Sequence, residues 1–441
     1  MDEVRLTSDV PKTMTAQPAT RAAPLPMLVQ RHVEEAALLC NQRMYLVGAP
    51  HVKLQQLRRL DDRLAANLDG LLVAGDTGSR LADAALANAG RGEVFTAVSL
   101  AFDNHDHARL DRLLAVGESL PEVQEAVELA VGWVSAASLN GITRELLASR
   151  SAFRRRLALA ACAMHRVDPG AALPPALAQD EVPLRARALQ TAGECARQDL
   201  LPACLSGLTD PDGHCRLQAA RSALLLGERG AVLMDALYRM AGSLDATGDA
   251  AMFLFLKVAG PGQAVPLMRL RLDEPRCLRA AIRGMGMAGD PQVVPWLLAQ
   301  MENPALARLA GEALSTMTGV DLAWLDLERP PPDTADAGPG ADDAPQDAGT
   351  GMDEDAGLPW PDPSRLQAWW RAHEQEFQRG TRYFMGQPPS PAHCLRVLRE
   401  GFQRQRIAAA EHQCLLQPGT RLFPAAAPAW RQQRWLGAME A

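Results

Sequence analysis

Small residues return along this chain at a nearly fixed interval, each inside a stretch whose apolar positions are spaced by threes and fours. Ala126, Ala158, Ala188, Ala220, Ala251, Ala281 and Gly311 lie 30 to 32 residues apart, and a weaker member of the series falls near Thr96. Such spacing puts apolar side chains on one face of a helix. In residues 278–304, LRAAIRGMGMAGDPQVVPWLLAQMENP, an Ala-rich helix is predicted to end at Gly289. Asp290–Pro291 sets a turn and a second helix opens near Pro295. The same order occurs upstream in PLRARALQTAGECARQDLLPACLSGLTDPD, where Pro202 precedes Pro295 by 93 residues, three steps of 31. HCRLQAARSALLLGERGAVLMDALYRM and AAMFLFLKVAGPGQAVPLM supply further units. A two-helix unit at this period is the pattern of a solenoid. One helix pair cannot bury its apolar face alone, so neighbouring pairs must stack. Small residues allow close approach, Gly ends the first helix, and Pro suits the first turn of the second. The fold class expected is all-α, an α-solenoid of about seven helix pairs over residues 91–328.

The flanks differ. After Pro26, Leu28, His32, Ala36 and Leu39 form one stripe, and after Pro50, Leu54, Leu57, Leu60, Leu64 and Leu68 form another. Residues 25–90 therefore predict an N-terminal helical cap. Residues 1–24, rich in Pro, Thr and Ala without periodicity, predict a disordered leader. Residues 329–363 are rich in Pro, Gly, Ala and Asp, with eight acids and no base between Asp333 and Asp355. Such a stretch cannot bury enough apolar surface to offset ordering and is expected to be a disordered linker. Residues 364–441 form a last, helical module. It holds 11 Arg and no Lys against five Glu, a net of +6 in a chain of net charge -7. Five of the eight Trp lie at or after Trp360. Leu366, Trp369, Trp370, His373 and Phe377 predict an amphipathic helix capped by Asp362 with Pro363 in its first turn.

Composition narrows the function classes. Hydrophobic residues are 47% and aromatics 5%, and the abundance of Ala and Leu favours closely packed helices. No long basic run stands ready to neutralise phosphates, which argues against nucleic acid as the partner of the chain as a whole. Eight scattered cysteines without a CxxC read as small buried apolar residues in a reducing compartment. The opening MDEVRLTSDVPK has neither the basic nor the apolar region of a signal peptide. No apolar run approaches the length that spans a bilayer, so a cytoplasmic location is expected.

Candidate chemistry is sparse. General acid–base catalysis needs a carboxylate in a desolvated cleft, whereas Glu34/Glu35 and Asp61/Asp62 are expected on helix surfaces and Asp353–Asp355 in the linker. His105 and His107, with Asp103 and Asp106, could offer a metal an i, i+2 pair, but the segment reads better as a polar turn with Asx capping. His393–Cys394 with His412 and Cys414 is a second such group. Adjacent residues on a helix point about 100° apart, and packing is the expectation there. GDTGSR, residues 75–80, lacks the Lys–Ser/Thr ending of a phosphate loop and is expected to be a turn. No catalytic, metal-ligating or cofactor-binding residue, and no cofactor, is expected. The strongest signal is the set of Arg–Gln clusters in the last block, which makes Arg382, Tyr383, Arg404, Arg406, Trp430, Arg431 and Arg434 the candidate partner-binding residues. Arg presents a planar fork and stacks on rings, and Arg, Trp and Tyr are enriched at interface hot spots. The alternative is that these residues build the fold, with Arg bonding helix C-terminal carbonyls.

The pattern around Leu278–Leu297 resembles HEAT-type repeats, particularly the short bacterial variety, over roughly residues 90–325. The longer HEAT period of about 40–47 residues is not met. That resemblance implies protein binding. Some helical-repeat relatives act on bilin chromophores or damaged DNA. A narrower resemblance rests on WWRAHEQEFQRGTRYFMGQPPSPAHCLRVLREGFQRQRIAAAEHQCLL, on FPAAAPAWRQQR, and on RHVEEAALLCNQR and LRRLDDRLAANLDGLLVAG near the start. These are similar to an uncharacterised proteobacterial family of HEAT-like proteins often encoded beside type VI secretion genes, which implies genomic company and no activity. The expectation is a non-catalytic protein-binding scaffold or adaptor. Its partner would be a protein, a type VI secretion component or effector if the resemblance extends to function. Two other readings stay open. One is a helical-repeat enzyme of bilin-lyase-like type. The other is a nucleic-acid binder using the Arg-rich C-terminal module, whose binding would fall steeply with salt.

Overall fold

The computed structural model describes residues 23–88, 90–332 and 353–439. The protein is all-α, about 70% helical, and its described residues contain no strand, only three isolated bridges. The chain forms α1 (Pro26–Leu46), α2 (Leu54–Val73), α3 (Asp76–Ala85), α4 (Arg91–Asp103), α5 (His107–Ser119), α6 (Gln124–Trp133), α7 (Ile142–Leu147) and α8 (Ala152–Met164). There follow α9 (Leu173–Ala176), α10 (Val182–Glu194), α11 (Leu201–Ser206), α12 (Gly213–Leu225), α13 (Ala231–Ala241), α14 (Ala246–Leu256), α15 (Pro261–Leu272), α16 (Leu278–Ala288), α17 (Val294–Gln300) and α18 (Pro304–Thr318). Beyond the gap lie α19 (Pro363–His373), α20 (Pro391–Glu400), α21 (Gln403–Leu416) and α22 (Ala429–Ala438). No helix among the described residues is long and apolar enough to cross a membrane.

The punctuation is local chemistry. Asp106, Ser151, Asp212, Asp245 and Asn303 cap α5, α8, α12, α14 and α18 by accepting a first-turn N–H, which satisfies a donor the helix leaves free. Gly289 and Gly319 close α16 and α18 in the left-handed conformation, where the absence of a Cβ removes the strain.

Helices α1, α4, α6, α8, α10, α12, α14, α16 and α18 form a series in which each packs on the next, and the intervening helices pack against members of that series. The recurring small residues all sit on this series, and Thr96, Ala126, Ala158, Ala188, Ala220, Ala251, Ala281 and Gly311 are all buried. Close approach is the reason for their size. A Cβ on Gly193 would lie 2.7 Å from Ser222 Cα across the α10–α12 contact.

Two of the expected boundaries change, and a third lies almost wholly outside the described residues. Of the expected leader, residues 1–22 lie outside the described residues. Of the expected linker, 333–352 lie outside them, but 329–332 and 353–363 are packed on the body: Arg329 N–H donates to Trp360 O, and Asp362 N–H to Leu327 O. The C-terminal module is not free-standing. Leu366, Trp370 and Tyr383 belong to the core of the later helix pairs. Phe384, Val397, Leu398, Ala409, Phe423 and Leu436 share a separate core with Ala49, Val52, Leu54 and Leu57. A module carrying half of a core cannot hang from a tether, because its apolar half would be left in water.

Candidate functional site

The last turn of an α-helix leaves carbonyls without an intrahelical donor, and in this protein the C-terminal block supplies many of the missing donors. Arg431 donates to Gly132 O (2.8 Å), Trp133 O (3.0 Å) and Val134 O (2.6 Å) at the end of α6. Arg421 donates to Arg166 O beyond α8 (2.7 Å), and Leu422 N–H to Glu194 O of α10 (3.1 Å). Arg382 reaches Leu256 O (2.9 Å), Lys257 O and Ala259 O (2.7 Å) at the end of α14, and Ala288 O (3.1 Å) at the end of α16. Met385 and Gly386 N–H groups donate to Thr316 O and Met317 O of α18. A guanidinium at a helix C-terminus also meets the negative end of the helix dipole.

This placement divides the seven candidate residues. Arg406 is fully buried, donating to Leu398 O (2.7 Å) and to the side-chain oxygens of Gln403 and Gln432. Tyr383 is buried, its hydroxyl accepting from Gln378 N–H (2.9 Å). Arg404 grips Glu312 with one nitrogen at 2.8 and 3.0 Å and also bonds Gly48 O and Glu354 O. Burial lowers the pKa of Arg406 and Arg431 to about 10, and lowers that of Arg382. Tyr383, Arg406 and Arg431 are buried and Arg382 is engaged by four carbonyls, so in this conformation these four act as struts, whereas Arg404 keeps 29% of its side-chain exposure and joins Glu312 to Gly48 and Glu354. Trp430 is half-buried, edge-on to Trp133 at 5.0 Å. Arg434 is exposed. Both line a cleft of about 670 Å³ with Trp435, Asp69 and Asp103.

Other candidates take other roles. Asp61, expected on a surface, is buried. It pairs with Arg43 (2.7 Å) and accepts from Ala429 N–H (2.7 Å), so it caps the start of α22. Burial raises its pKa against the opposing pull of Arg43. Asp353 and Asp355, expected in a solvated linker, pair with Arg308 and Arg279. The stretch expected to be a turn at residues 75–80 has left-handed Gly75, after which Asp76 opens α3. Asp103 accepts from Ser138 Oγ (2.7 Å), and Asp106 caps α5. His393 Nε2 meets Phe384 O at 2.7 Å, and Cys394, His412 and Cys414 are buried. Among the described residues no group of three or more His, Cys, Asp or Glu could hold a metal ion. Burial pushes the Cys40, Cys195, Cys204 and Cys414 thiols up to about 12 and those of Cys162, Cys215 and Cys394 up to about 11, the condition of unreactive structural cysteines.

Two surfaces escaped the sequence. One is a groove of about 450 Å³ walled by Val258, Val265, Met268, Leu272, Met285 and Val293 from the α14–α17 segment, with Gly380–Arg382 along one side and Arg269, Asp290 and Arg382 as its charged members. The other is an arginine cradle on α16 and α18. Its cue was present in the i, i+4 spacing of Arg279 and Arg283, which places both on one helix face.

No protein-family model matches the chain, and no curated protein matches it.

Proposed function

We propose that this chain is a non-catalytic, protein-binding scaffold or adaptor, an α-solenoid of HEAT-like helix pairs acting in the cytoplasm. The observation that carries the reading is the α14–α17 groove. Its walls are mainly apolar, and Val265 in the wall is about half exposed. Such concavities hold apolar anchors of a partner segment. The serial packing of α4 to α18, with the small residues at its contacts, supports the solenoid reading. The resemblance to HEAT-like proteins encoded beside type VI secretion genes extends the proposal to a component or effector of that system as partner.

The rival readings have less support. Phosphate recognition needs free guanidiniums, and those of Arg382, Arg406 and Arg431 are engaged by carbonyls and amides. An enzyme of bilin-lyase-like type would need an activated thiol or an acid–base pair, and seven of the eight thiols have pKa values raised by burial.

The test is affinity capture from the native host with wild type, Val265→Glu and Arg269→Ala, both sites being exposed. A protein captured by wild type should be lost with Val265→Glu while helix content is unchanged. Equal capture by all three would place the binding surface elsewhere.

A further inference from the structure

Residues 353–358 lie as a strap against α16, α18 and α21, and the strap is held by arginines from all three. Asp355 Oδ1 meets Arg279 Nη2 at 2.7 Å and Glu354 Oε2 meets Arg283 Nη2 at 2.6 Å, both from α16. Asp353 Oδ2 meets Arg308 Nη2 of α18 at 2.6 Å. Arg404 of α21 completes the cradle. The main chain is read as well: Tyr45 Oη donates to Asp353 O (3.4 Å), Arg404 to Glu354 O (2.7 Å) and Arg308 to Asp355 O (3.0 Å). Gly357, at φ +79°, lies against His51, where a Cβ would come within 2.1 Å of Nδ1. Arg308 also covers the Trp360 ring at 4.9 Å.

We propose that this cradle is a recognition site for an acidic peptide of the form Asp-Glu-Asp-x-Gly, that residues 353–357 are its built-in occupant, and that a partner protein carrying such a segment takes their place. Three features carry the inference. The three side-chain carboxylates are matched one by one with guanidiniums. Three successive backbone carbonyls each have a donor, a feature that selects a peptide over a nucleic acid, whose backbone has phosphates in their stead. The occupant is held mainly by charge. Only the Asp355 side chain is buried, at 4% exposure, while those of Asp353 and Glu354 retain 53% and 65%. Exposed ion pairs are screened by salt and individually weak, so the strap can leave without opening a core. The inference rests on the protein-binding reading above, but on a different surface from the groove.

A competitor in cis lowers the apparent affinity of a peptide in trans by the fraction of time the site is empty. The test therefore compares the full wild-type chain with the triple variant Asp353→Asn, Glu354→Gln, Asp355→Asn. The probe is a fluorescein-labelled synthetic peptide of residues 353–361, read by anisotropy at low salt. The triple variant should bind it at least about tenfold more tightly than wild type. Adding Arg283→Gln and Arg308→Gln should abolish the gain, and the Asn/Gln form of the peptide should not bind. A folded triple variant that gains nothing overturns the proposal. So does one that binds a single-stranded oligonucleotide of similar length more tightly than the peptide. A second measurement on wild type is independent of the variants' folding. Raising salt to about 0.5 M, which shortens the screening length to a few ångströms, should speed hydrogen exchange at Ala356 and Leu358. Both amides are bonded within the strap turn. Exchange there that ignores salt overturns the proposal too. If peptide binding fails while Val265→Glu still abolishes partner capture, the cradle is refuted and the scaffold reading stands.

Discussion

Changing Glu411 to Gln removes one charge from the seam between the C-terminal block and the helix series, and little else. Glu411 of α21 pairs with Lys257 at the end of α14 and faces Arg221 Nη2 of α12 at 3.5 Å; Arg221 also lies 3.6 Å from Glu194. The Lys257, Glu411 and Arg221 side chains keep only 9%, 13% and 19% of their exposure. Burial alone would raise the Glu411 pKa, yet Lys257 and Arg221 bring it from 4.5 down to about 2. That shift corresponds to roughly 3 kcal/mol favouring the charged form. Removing one partner of a buried pair costs about 3–5 kcal/mol, since it strands the other charge. Glu411→Gln should therefore lose about 3 kcal/mol in urea unfolding followed by circular dichroism at neutral pH. Lys257→Met with Glu411→Leu removes both charges, leaves Arg221 its contact with Glu194, and should recover most of the loss, because apolar replacement of a buried pair is often neutral. The sign with pH follows from the lowered pKa. The carboxylate's contribution is complete above about 4.5 and is lost as pH falls through about 2. A loss under about 1 kcal/mol, the value of an exposed pair, or a double variant no more stable than the single, would refute the reasoning.

Ala220→Glu, at a fully buried helix contact, should cost about 3 kcal/mol or more through overpacking and an unpaired buried charge; a thermal melt unchanged from wild type would remove Ala220 from the packed series. Arg431→Ala should cost about 2–4 kcal/mol because three carbonyls lose their donor, whereas exposed Arg434→Ala should stay within about 0.5 kcal/mol; similar melting shifts for the two would contradict the strut assignment. Burial, and then Lys257 and Arg382, lower the His412 pKa from 6.5 to about 3. The stability of its neutral form is therefore present above 6.5 and lost as pH falls through about 3. His412→Gln should flatten the unfolding free energy over that window, and an unchanged pH slope would count against it.

What the sequence made legible was periodic, and what it concealed was long-range. Ala188, Ala220 and Ala281 announced their burial because each recurs at a fixed step and each sits mid-helix. Gly289 and Asp290–Pro291 announced a helix end because left-handed glycine and Asx–Pro turns are set within a few residues. Asp61 was misplaced by its charge, although its spacing pointed inward. It lies four residues after Leu57 and three before Leu64, on the buried stripe of α2. Arg431 gave no such hint, because its acceptors Gly132, Trp133 and Val134 lie almost three hundred residues away in the chain. The same holds for residues 353–363. Their composition is that of a linker, and they are held by the distant Arg279, Arg283, Arg308 and Arg404 and by the Arg329–Trp360 and Asp362–Leu327 main-chain bonds.

The Arg–Gln clusters of the C-terminal block suggested a partner-binding surface. Its geometry reverses that inference, and the energetics show which part of the protein can change partners. Detaching the block would return Phe384, Val397, Leu398, Phe423 and Leu436 to water, along with the residue 49–57 segment they cover. At about 1.5–3 kcal/mol for each large apolar side chain, that exceeds what a single peptide interaction returns. Detaching the strap breaks two partly exposed ion pairs, each worth about 0–1 kcal/mol, the pair of the buried Asp355 carboxylate, and three hydrogen bonds to strap carbonyls, but it removes no residue from the hydrophobic cores. The block is thus part of the fold, and the strap is the element whose energy lies within reach of a binding partner. The arginines that matter for recognition are then those of α16 and α18, together with Arg404, which joins the block to both the helix series and the strap.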